Sequence, residues 1–225
     1  MEKSEMEGHR ERIRQRYIEG GINGLLEYEV LELLLSYIIP RKDCKKNAKE
    51  LLEKFGSVRK ILDADYDELI NSDGLGERSV VFFKFVKDLH ILYLKQQLSE
   101  NGNINGTTDL IKYLRASLAG LKMEVFDIIF LDTLNKFITS ERLFEGTIDK
   151  SHIYMRDIVA RVIKNSAKSV IFCHNHPSGV LTPSRQDINI TIKAKEFLKE
   201  IDVNLLDHII VSSEGYYSFL ENNLI

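Results

Sequence analysis

The chain has 225 residues, of which 44% are hydrophobic, enough to bury one or two ordinary cores. Its 31 lysines and arginines stand against 34 aspartates and glutamates, and the resulting net charge of −3 is not the bulk signature of a nucleic-acid-binding protein. We see no apolar run long enough to cross a bilayer and no signal peptide, so we expect a cytoplasmic protein without a membrane partner. Cys44 and Cys173 predict free thiols and are too few for a four-cysteine structural zinc.

Residues 1–98 are predicted to form a helical module, because apolar residues recur at helical spacing along most of this stretch. The segment from Asp73 to Gly76 interrupts the pattern, and Gly56 is placed to end a helix. The predicted helices cover residues 25–37, 44–54, 66–71 and 77–97. Residues 99–106 form the most turn-rich segment of the chain and are predicted to be a linker.

Residues 107–225 mix helical and strand patterns and predict a second domain of the α/β (α+β) class with a mixed sheet. The predicted helices cover residues 109–118, 154–166 and 184–200. The predicted strands cover residues 123–132, 137–144, a short buried run ending at 173, 203–211 and 215–220. Helices and strands therefore alternate through this domain.

One fourteen-residue run, from His174 to Asp187, concentrates groups that bind metals. Side chains two apart on a strand share a face, so His174 and His176 can converge on one ion before Pro177 ends the strand. Ser184 then opens a helix and places Asp187 one turn in. Two imidazoles and a carboxylate suit a catalytic zinc whose fourth position is left to water, and they also tolerate other divalent ions. This set predicts hydrolysis by an activated water.

Two simpler interpretations of the same residues stay open. Ser184 and Asp187 fit a variant of the capping box, which needs no chemistry. The pair His174 and His176 at the end of a strand fits two hydrogen-bonded surface histidines. Either interpretation explains one half of the run, whereas a metal site explains both halves together.

At this point the residues resemble a known family. The pattern His174-Asn-His176-Pro177, followed by Ser184 and Asp187, resembles the metal-binding signature of the JAMM (MPN-domain) metalloproteases. The wider sequence is similar to the bacterial RadC family, which shares the asparagine found here at position 175, where the proteases usually carry Ser or Thr. The stretches that carry the resemblance cover nearly the whole chain: residues 8–10, 28–35, 39–43, 124–126, 130–133, 143–149, 156–158, 174–187 and 206–211.

The resemblance implies an MPN (cytidine-deaminase-like) fold for residues 107–225. It also implies one zinc ion per chain, held by His174, His176 and Asp187, and hydrolysis of a peptide or isopeptide bond in an unidentified protein or peptide. Glu124 matches the family's upstream glutamate, which takes a proton from water and delivers it to the leaving amine. On chemistry alone, Glu141 and Glu145 are rival candidates for that role.

Two further polar residues have roles that the sequence leaves open. The hydroxyl of Ser184 is a candidate donor to the oxyanion that develops when water attacks a carbonyl. His208 lies in a strand pattern and is either a third imidazole ligand or a group packed behind the ligands. A nuclease is a less natural interpretation, because the run supplies ligands for one metal whereas many phosphodiester-cleaving sites use two.

The helical module supports a function of a different class. The turn at Gly74 and Gly76 looks like a helix-hairpin-helix, in which backbone amides approach a phosphate without reading sequence. Alternating arginines from Arg10 to Arg16 fit contact with DNA, while Asp73 and Glu77 would repel a phosphate. The alternative function is therefore a non-catalytic or nuclease-like DNA-binding protein acting in DNA repair or recombination.

Overall fold

The computed structural model describes residues 2–40, 42–100, 107–146 and 154–225. The chain divides into two compact units, Met1–Leu89 and His90–Ile225. This division falls before the predicted linker, because Leu94 and Leu98 already belong to the core of the second unit. Most of that linker, residues 101–106, lies outside the described residues, so the predicted boundaries at 98 and 107 stay predictions.

The first unit is helical, as predicted. Its helices are α1 (Glu2–Gly20), α2 (Glu27–Ile38), α3 (Lys45–Phe55), α4 (Val58–Asp63), α5 (Tyr66–Ile70) and the first part of α6 (Glu77–Glu100). Large apolar side chains from these helices form one core, with Leu31, Leu35, Leu51, Leu69 and Phe83 fully or almost fully buried. Helix α4 was not predicted, and it begins where Ser57 Oγ accepts a hydrogen bond from the Lys60 amide at 3.2 Å.

Two arginines of the alternating basic run hold α1 within the first unit. Arg16 makes a two-pronged ion pair with Glu29, with both nitrogen–oxygen distances at 2.8 Å. This hydrogen bonding is the main reason that the pKa of the buried Glu29 lies below its ordinary value. Arg10 donates to the backbone carbonyls of Ile39, Pro40 and Lys42. The run is therefore at least partly structural, which weakens it as an argument for DNA contact.

The turn between α5 and α6 needs a glycine at position 74. Gly74 has a φ of +77°, a region that side chains with a β-carbon rarely adopt. A β-carbon built on Gly74 would also lie 1.4 Å from Asn47 Nδ2 on α3. The neighbouring Gly76 has no such contact, and its carbonyl accepts the first hydrogen bonds of α6 from Ser79 and Val80.

The second unit is built on a five-stranded mixed sheet, which confirms the predicted fold class. Its strands are β1 (Val125–Leu131), β2 (Phe137–Glu145), β3 (Ser169–Asn175), β4 (Asn204–Val211) and β5 (Tyr216–Ser218), in the order β2-β1-β3-β4-β5. Only β3 and β4 pair in parallel, and the other neighbours are antiparallel. Central strands covered on both faces read as near-continuous apolar runs, and β3 is buried at all seven positions.

Helices cover both faces of this sheet. One face packs against α7 (Thr107–Leu118) and the end of α6, and this side contains Cys173, as the alternation along the predicted strand indicated. The opposite face packs against α8 (Met155–Lys164) and α9 (Arg185–Lys199). Helix α9 connects the parallel strands β3 and β4, which cannot be joined by a tight turn. Within the described parts of the chain, no helix has the length and apolar character needed to cross a bilayer.

Asn175 fastens the segment before β1 to the end of β3. Its buried side chain accepts a hydrogen bond from the Val125 amide at 2.8 Å. Its amide group donates to the carbonyls of Leu121 and Met123 at 3.2 and 3.0 Å. Three backbone groups at positions 121, 123 and 125 thus bind one side chain, and Glu124 lies between the last two of these positions.

We expect Gly74→Ala to lower the free energy of unfolding by about 1–2 kcal/mol, because alanine is strained at a positive φ and would displace Asn47. Gly76→Ser is the matched control, since the site is open and serine is a favoured residue at a helix start. The free energy of unfolding of Gly76→Ser should stay within about 0.5 kcal/mol of the wild-type value. Urea unfolding followed by circular dichroism measures both, and equal stabilities of the two variants would contradict the prediction.

We expect Asn175→Ala to lower the free energy of unfolding by about 1–3 kcal/mol, because it leaves an amide and two carbonyls near the core without their partner. Met123→Ala is the control, because it changes an exposed side chain in the same segment. It should lower the free energy of unfolding by less than about 0.5 kcal/mol. Denaturant unfolding of the two variants tests this. An Asn175→Ala protein as stable as Met123→Ala would show that the three hydrogen bonds of Asn175 contribute nothing to stability.

Candidate metal centre

The end of β3 brings two imidazoles together. His174 is the sixth residue of β3, and the His176 amide donates to the Val211 carbonyl at 2.9 Å, which extends the pairing with β4 by one step. The two Nε2 atoms lie 3.0 Å apart. Beyond Pro177, the chain turns at Gly179, whose φ is +84°, and its amide donates back to the His176 carbonyl. The predicted convergence of the two histidines is present.

The first turn of α9 directs a carboxylate at the same point. Asp187 Oδ2 accepts a hydrogen bond from the Ser184 amide at 2.7 Å, and Ser184 Oγ accepts one from the Asp187 amide at 3.1 Å. This is the capping box that the sequence allowed. Asp187 Oδ1 lies 3.3 Å from His174 Nε2, and Oδ2 lies 3.7 Å from His176 Nε2. The capping and metal-site interpretations are compatible, since the cap fixes the rotamer that points the carboxylate at the histidines.

Glu124 completes the group from the segment just before β1. Its Oε1 lies 3.9 Å from His174 Nε2. Ligand atoms of Glu124, His174, His176 and Asp187 all lie within 4.8 Å of one another. The rivals Glu141 and Glu145 are engaged elsewhere: Glu141 binds Arg161 and Lys164, and Glu145 binds Arg142. Among the carboxylates that the structure describes, Glu124 and Asp187 are the two that join this histidine cluster.

Exposure of the four side chains follows a gradient. The His174 and Asp187 side chains are 0% and 1% exposed, His176 is 12% exposed, and Glu124 is 24% exposed. The group is therefore buried at His174 and Asp187 and partly open to solvent at Glu124, although the Oε1 atom that faces His174 is itself buried. Such an opening is typical of a catalytic metal site, whereas structural zinc sites are closed by four protein ligands.

Hydrogen bonding places a hydrogen on Nδ1 of His176. This Nδ1 lies 2.6 Å from the Val180 carbonyl, which can only accept, so Nε2, which faces His174 and Asp187, is the ring atom left to bind a proton or a metal. The Asp187 carboxylate is the main reason that the pKa of His176 lies above its ordinary value, while burial acts in the opposite direction. The same carboxylate would also attract a metal cation bound at Nε2.

The residues fit a metal ion. Ligand atoms bound tetrahedrally at about 2.0–2.1 Å lie about 3.3 Å from one another. The spacings of 3.0 Å between the two Nε2 atoms and 3.3 Å between His174 Nε2 and Asp187 Oδ1 are close to that value. Two imidazole nitrogens and one carboxylate oxygen are a donor set that zinc accepts.

Three residues around this group were missed or left open by the sequence analysis. His208 does not reach the cluster as a third ligand, because its Nε2 lies 2.8 Å from Nδ1 of His174, on the far side of that ring. Thr191 on α9 contacts His208 Nδ1 at 2.6 Å, and Asn175 anchors the segment that carries Glu124. Local pattern does not give the contacts of these residues, since each acts across sheet or helix neighbours. Ser184 is exposed beside the cluster.

The two glycines proposed for nucleic-acid contact lie in the first unit, apart from this group in sequence. Gly74 and Gly76 line a cavity of about 300 Å³ at the start of α6, together with Lys42, Glu77 and Arg78. Charges of both signs line it, so the cavity does not by itself select a phosphate. Contact with nucleic acid stays a prediction.

Comparison with known proteins places the chain in a family. The family profile described as a RadC-like JAB domain matches residues 104–224. A UPF0758 protein of Fusobacterium nucleatum is 42% identical over 232 residues, covering all of both chains. UPF0758 proteins of Pseudomonas savastanoi pv. phaseolicola and Pseudoalteromonas translucida are 36% and 35% identical over 215 residues, covering 96% of each chain. The chain therefore belongs to the RadC family, and residues 104–224, which contain the histidine and carboxylate cluster, are its RadC-like JAB domain.

Proposed function

We propose that this protein is a zinc-dependent hydrolase that cleaves a peptide or isopeptide bond with a metal-activated water. The observation that carries the proposal is the convergence of two imidazoles and one buried carboxylate beside a partly exposed glutamate. His174, His176 and Asp187 would hold the metal, and Glu124 lies on the open side. A JAB-type domain with this group is the setting in which such chemistry is expected.

A bound metal would contribute two chemical effects. Zinc would lower the pKa of water at the open position to about 7, and it would polarise a carbonyl. Glu124 takes the proton from the attacking water as the carbon–oxygen bond forms. The same carboxyl group then delivers that proton to the leaving nitrogen as the carbon–nitrogen bond breaks. Its partial exposure suits this role, because the group must meet both water and substrate.

Ser184 would stabilise the negative charge that develops on the substrate oxygen. Its Oγ accepts a hydrogen bond from the Asp187 amide, so the hydroxyl hydrogen is left to donate outward, where the residue is exposed. The capping box holds Ser184 and Asp187 in one rigid turn at the start of α9. This turn therefore supplies both a ligand and an oxyanion donor at a fixed separation.

The competing proposal from another functional class is a non-catalytic scaffold with a structural metal. It would require Glu124 to serve as the fourth ligand and close the site. The Glu124 side chain is 24% exposed, whereas the other three side chains are at most 12% exposed. This difference favours Glu124 as a proton carrier, and the two proposals predict different behaviour when its charge is removed.

Protein purified without chelator or nickel affinity resin should contain about one zinc per chain, which His174→Ala and Asp187→Asn should lose. Asp187→Asn keeps a side chain that can accept from the Ser184 amide, so the cap is retained while the anionic ligand is removed. His90→Ala, an exposed histidine on α6, is the control and should keep the metal. Mass spectrometry measures the metal, and a folded wild type that takes up no added zinc would refute the proposal.

Glu124→Gln should retain zinc and fold but lose at least about 100-fold in turnover, because glutamine has nearly the same shape and cannot carry the proton. Cleavage is followed by mass spectrometry on a library of linear and isopeptide-linked peptides, with zinc-loaded wild type as reference. Glu145→Gln is the matched control, since Glu145 is paired with Arg142 outside the cluster, and it should keep full activity. Loss of zinc in Glu124→Gln would favour the structural-metal scaffold.

A further inference from the structure

A chain of buried hydrogen bonds runs from α9 through β4 to the candidate metal centre. Thr191 Oγ1 lies 2.5 Å from the Asp187 backbone carbonyl and 2.6 Å from His208 Nδ1. His208 Nε2 in turn lies 2.8 Å from His174 Nδ1. The side chains of Thr191, His208 and His174 are all fully buried. We call this chain of hydrogen bonds, from the Asp187 carbonyl through Thr191 and His208 to His174, the relay.

The carbonyl gives this relay a direction. A carbonyl oxygen only accepts, so at 2.5 Å the single hydroxyl hydrogen of Thr191 lies between Oγ1 and the Asp187 oxygen. The Thr191 oxygen can then only accept from His208, which places the His208 hydrogen on Nδ1. A neutral His208 presents the lone pair of Nε2 to His174, which must donate its own hydrogen from Nδ1. Each step follows from the one before it.

The direction of the relay decides whether the other ring nitrogen of His174, Nε2, carries a hydrogen. With the hydrogen on Nδ1, the Nε2 lone pair faces His176 and Asp187, in the cluster where the metal would lie. The reversed relay would put the hydrogen on Nε2, which blocks that atom as a ligand. The rings of Phe126, Phe172 and Phe219 pack around His208 at centroid distances of 5.4, 5.8 and 4.7 Å and hold it between Thr191 and His174.

We propose that Thr191 and His208 are positioning residues that set the tautomer of His174 and so make its Nε2 the metal-binding atom. This inference rests on the proposed metal site. The Thr191 hydroxyl lies one turn after Asp187 on the same helix, so α9 supplies both a direct ligand and the group that orients a second ligand on β3. Histidine ligands in metal sites commonly need such a partner at the other ring nitrogen, and its loss costs about 10- to 100-fold in metal affinity.

The decisive variant is Thr191→Val in the full-length protein, with Thr191→Ser as the conservative rescue. Valine fills nearly the same space without a hydroxyl, so His208 Nδ1 loses its acceptor and the relay is free to reverse. Nitrogen-15 NMR of the histidine rings, recorded without metal, reports which nitrogen carries the hydrogen. Competition with a chelating dye reports the affinity for zinc alone.

We expect the metal-free wild type to carry hydrogen on Nδ1 of both His174 and His208. Thr191→Val should move hydrogen toward Nε2 of these rings and weaken zinc binding by about 10- to 100-fold, while Thr191→Ser should resemble the wild type in both measurements. Ser218→Ala is the matched control. It removes another buried hydroxyl, which donates to Asp207 at 2.6 Å, without touching the relay. It should lower stability without moving any ring hydrogen or the zinc affinity.

Failure of this inference and failure of the proposed function give different results in the tautomer and zinc-binding measurements. Equal zinc affinity and equal tautomers in wild type and Thr191→Val would overturn the relay and leave the metal site standing. Hydrogen on Nε2 of His208 in the metal-free wild type would overturn it even if Thr191→Val does not fold. The expected tautomers in a wild type that binds no zinc would support the relay and refute the zinc hydrolase.

Discussion

The parallel pairing of β3 with β4 is the constraint on which the site depends. Two adjacent parallel strands need a crossover, and here the crossover is α9. Because α9 must start at the carboxyl end of β3 to return to the beginning of β4, its first turn lies beside the last residues of β3. Asp187 is in that first turn, and His174 and His176 are at that strand end. An antiparallel hairpin at this position would not have placed a helix start there.

Buried charge is tolerated at this point because the fold supplies it with hydrogen-bond donors. Asp187 is almost completely buried, and an ionised carboxylate in that setting is costly unless it is paired. The Ser184 amide donates to it, and the two imidazoles lie within 3.7 Å. A divalent cation would compensate the same charge more fully. The same side chain thus stabilises a helix start and provides the negative charge of the cluster.

Two other buried polar side chains in this part of the core connect distant segments. Asn175 joins β3 to the segment before β1. Asp207 joins β4 to the end of β5 and the residues after it, by accepting from the Ser218 hydroxyl and the Leu220 amide. Burial raises the pKa of Asp207, and these hydrogen bonds oppose that shift. Fully satisfied polar networks of this kind specify one arrangement of their neighbours, because any other arrangement leaves a buried group without a partner. The buried hydrogen bonds around the candidate metal centre therefore hold its strands in one arrangement.

The sequence by itself determined what depends on local spacing. The helices and strands near the site could be predicted from their periodicity. The two histidines on one strand face and the capping box of Ser184 and Asp187 lie within fourteen consecutive residues and could be predicted as well. Helix α4 was missed because six residues carry too weak a periodic pattern, although its cap at Ser57 was a usable signal. Glu124 was indicated by family resemblance alone, since periodicity gives no reason to choose it over Glu141 or Glu145.

Only the tertiary structure decided the contacts that join distant segments. It brought Glu124 to the histidines across 50 residues, and it paired the rival Glu141 on β2 with Arg161 on α8. It also placed His208 behind His174 and gave it Thr191 as a partner. These outcomes depend on which strands lie side by side, and that order is set by the burial of the whole sheet. A sequence pattern records the preferences of each segment, whereas hydrogen bonds between segments exist only once the core has fixed their order and register.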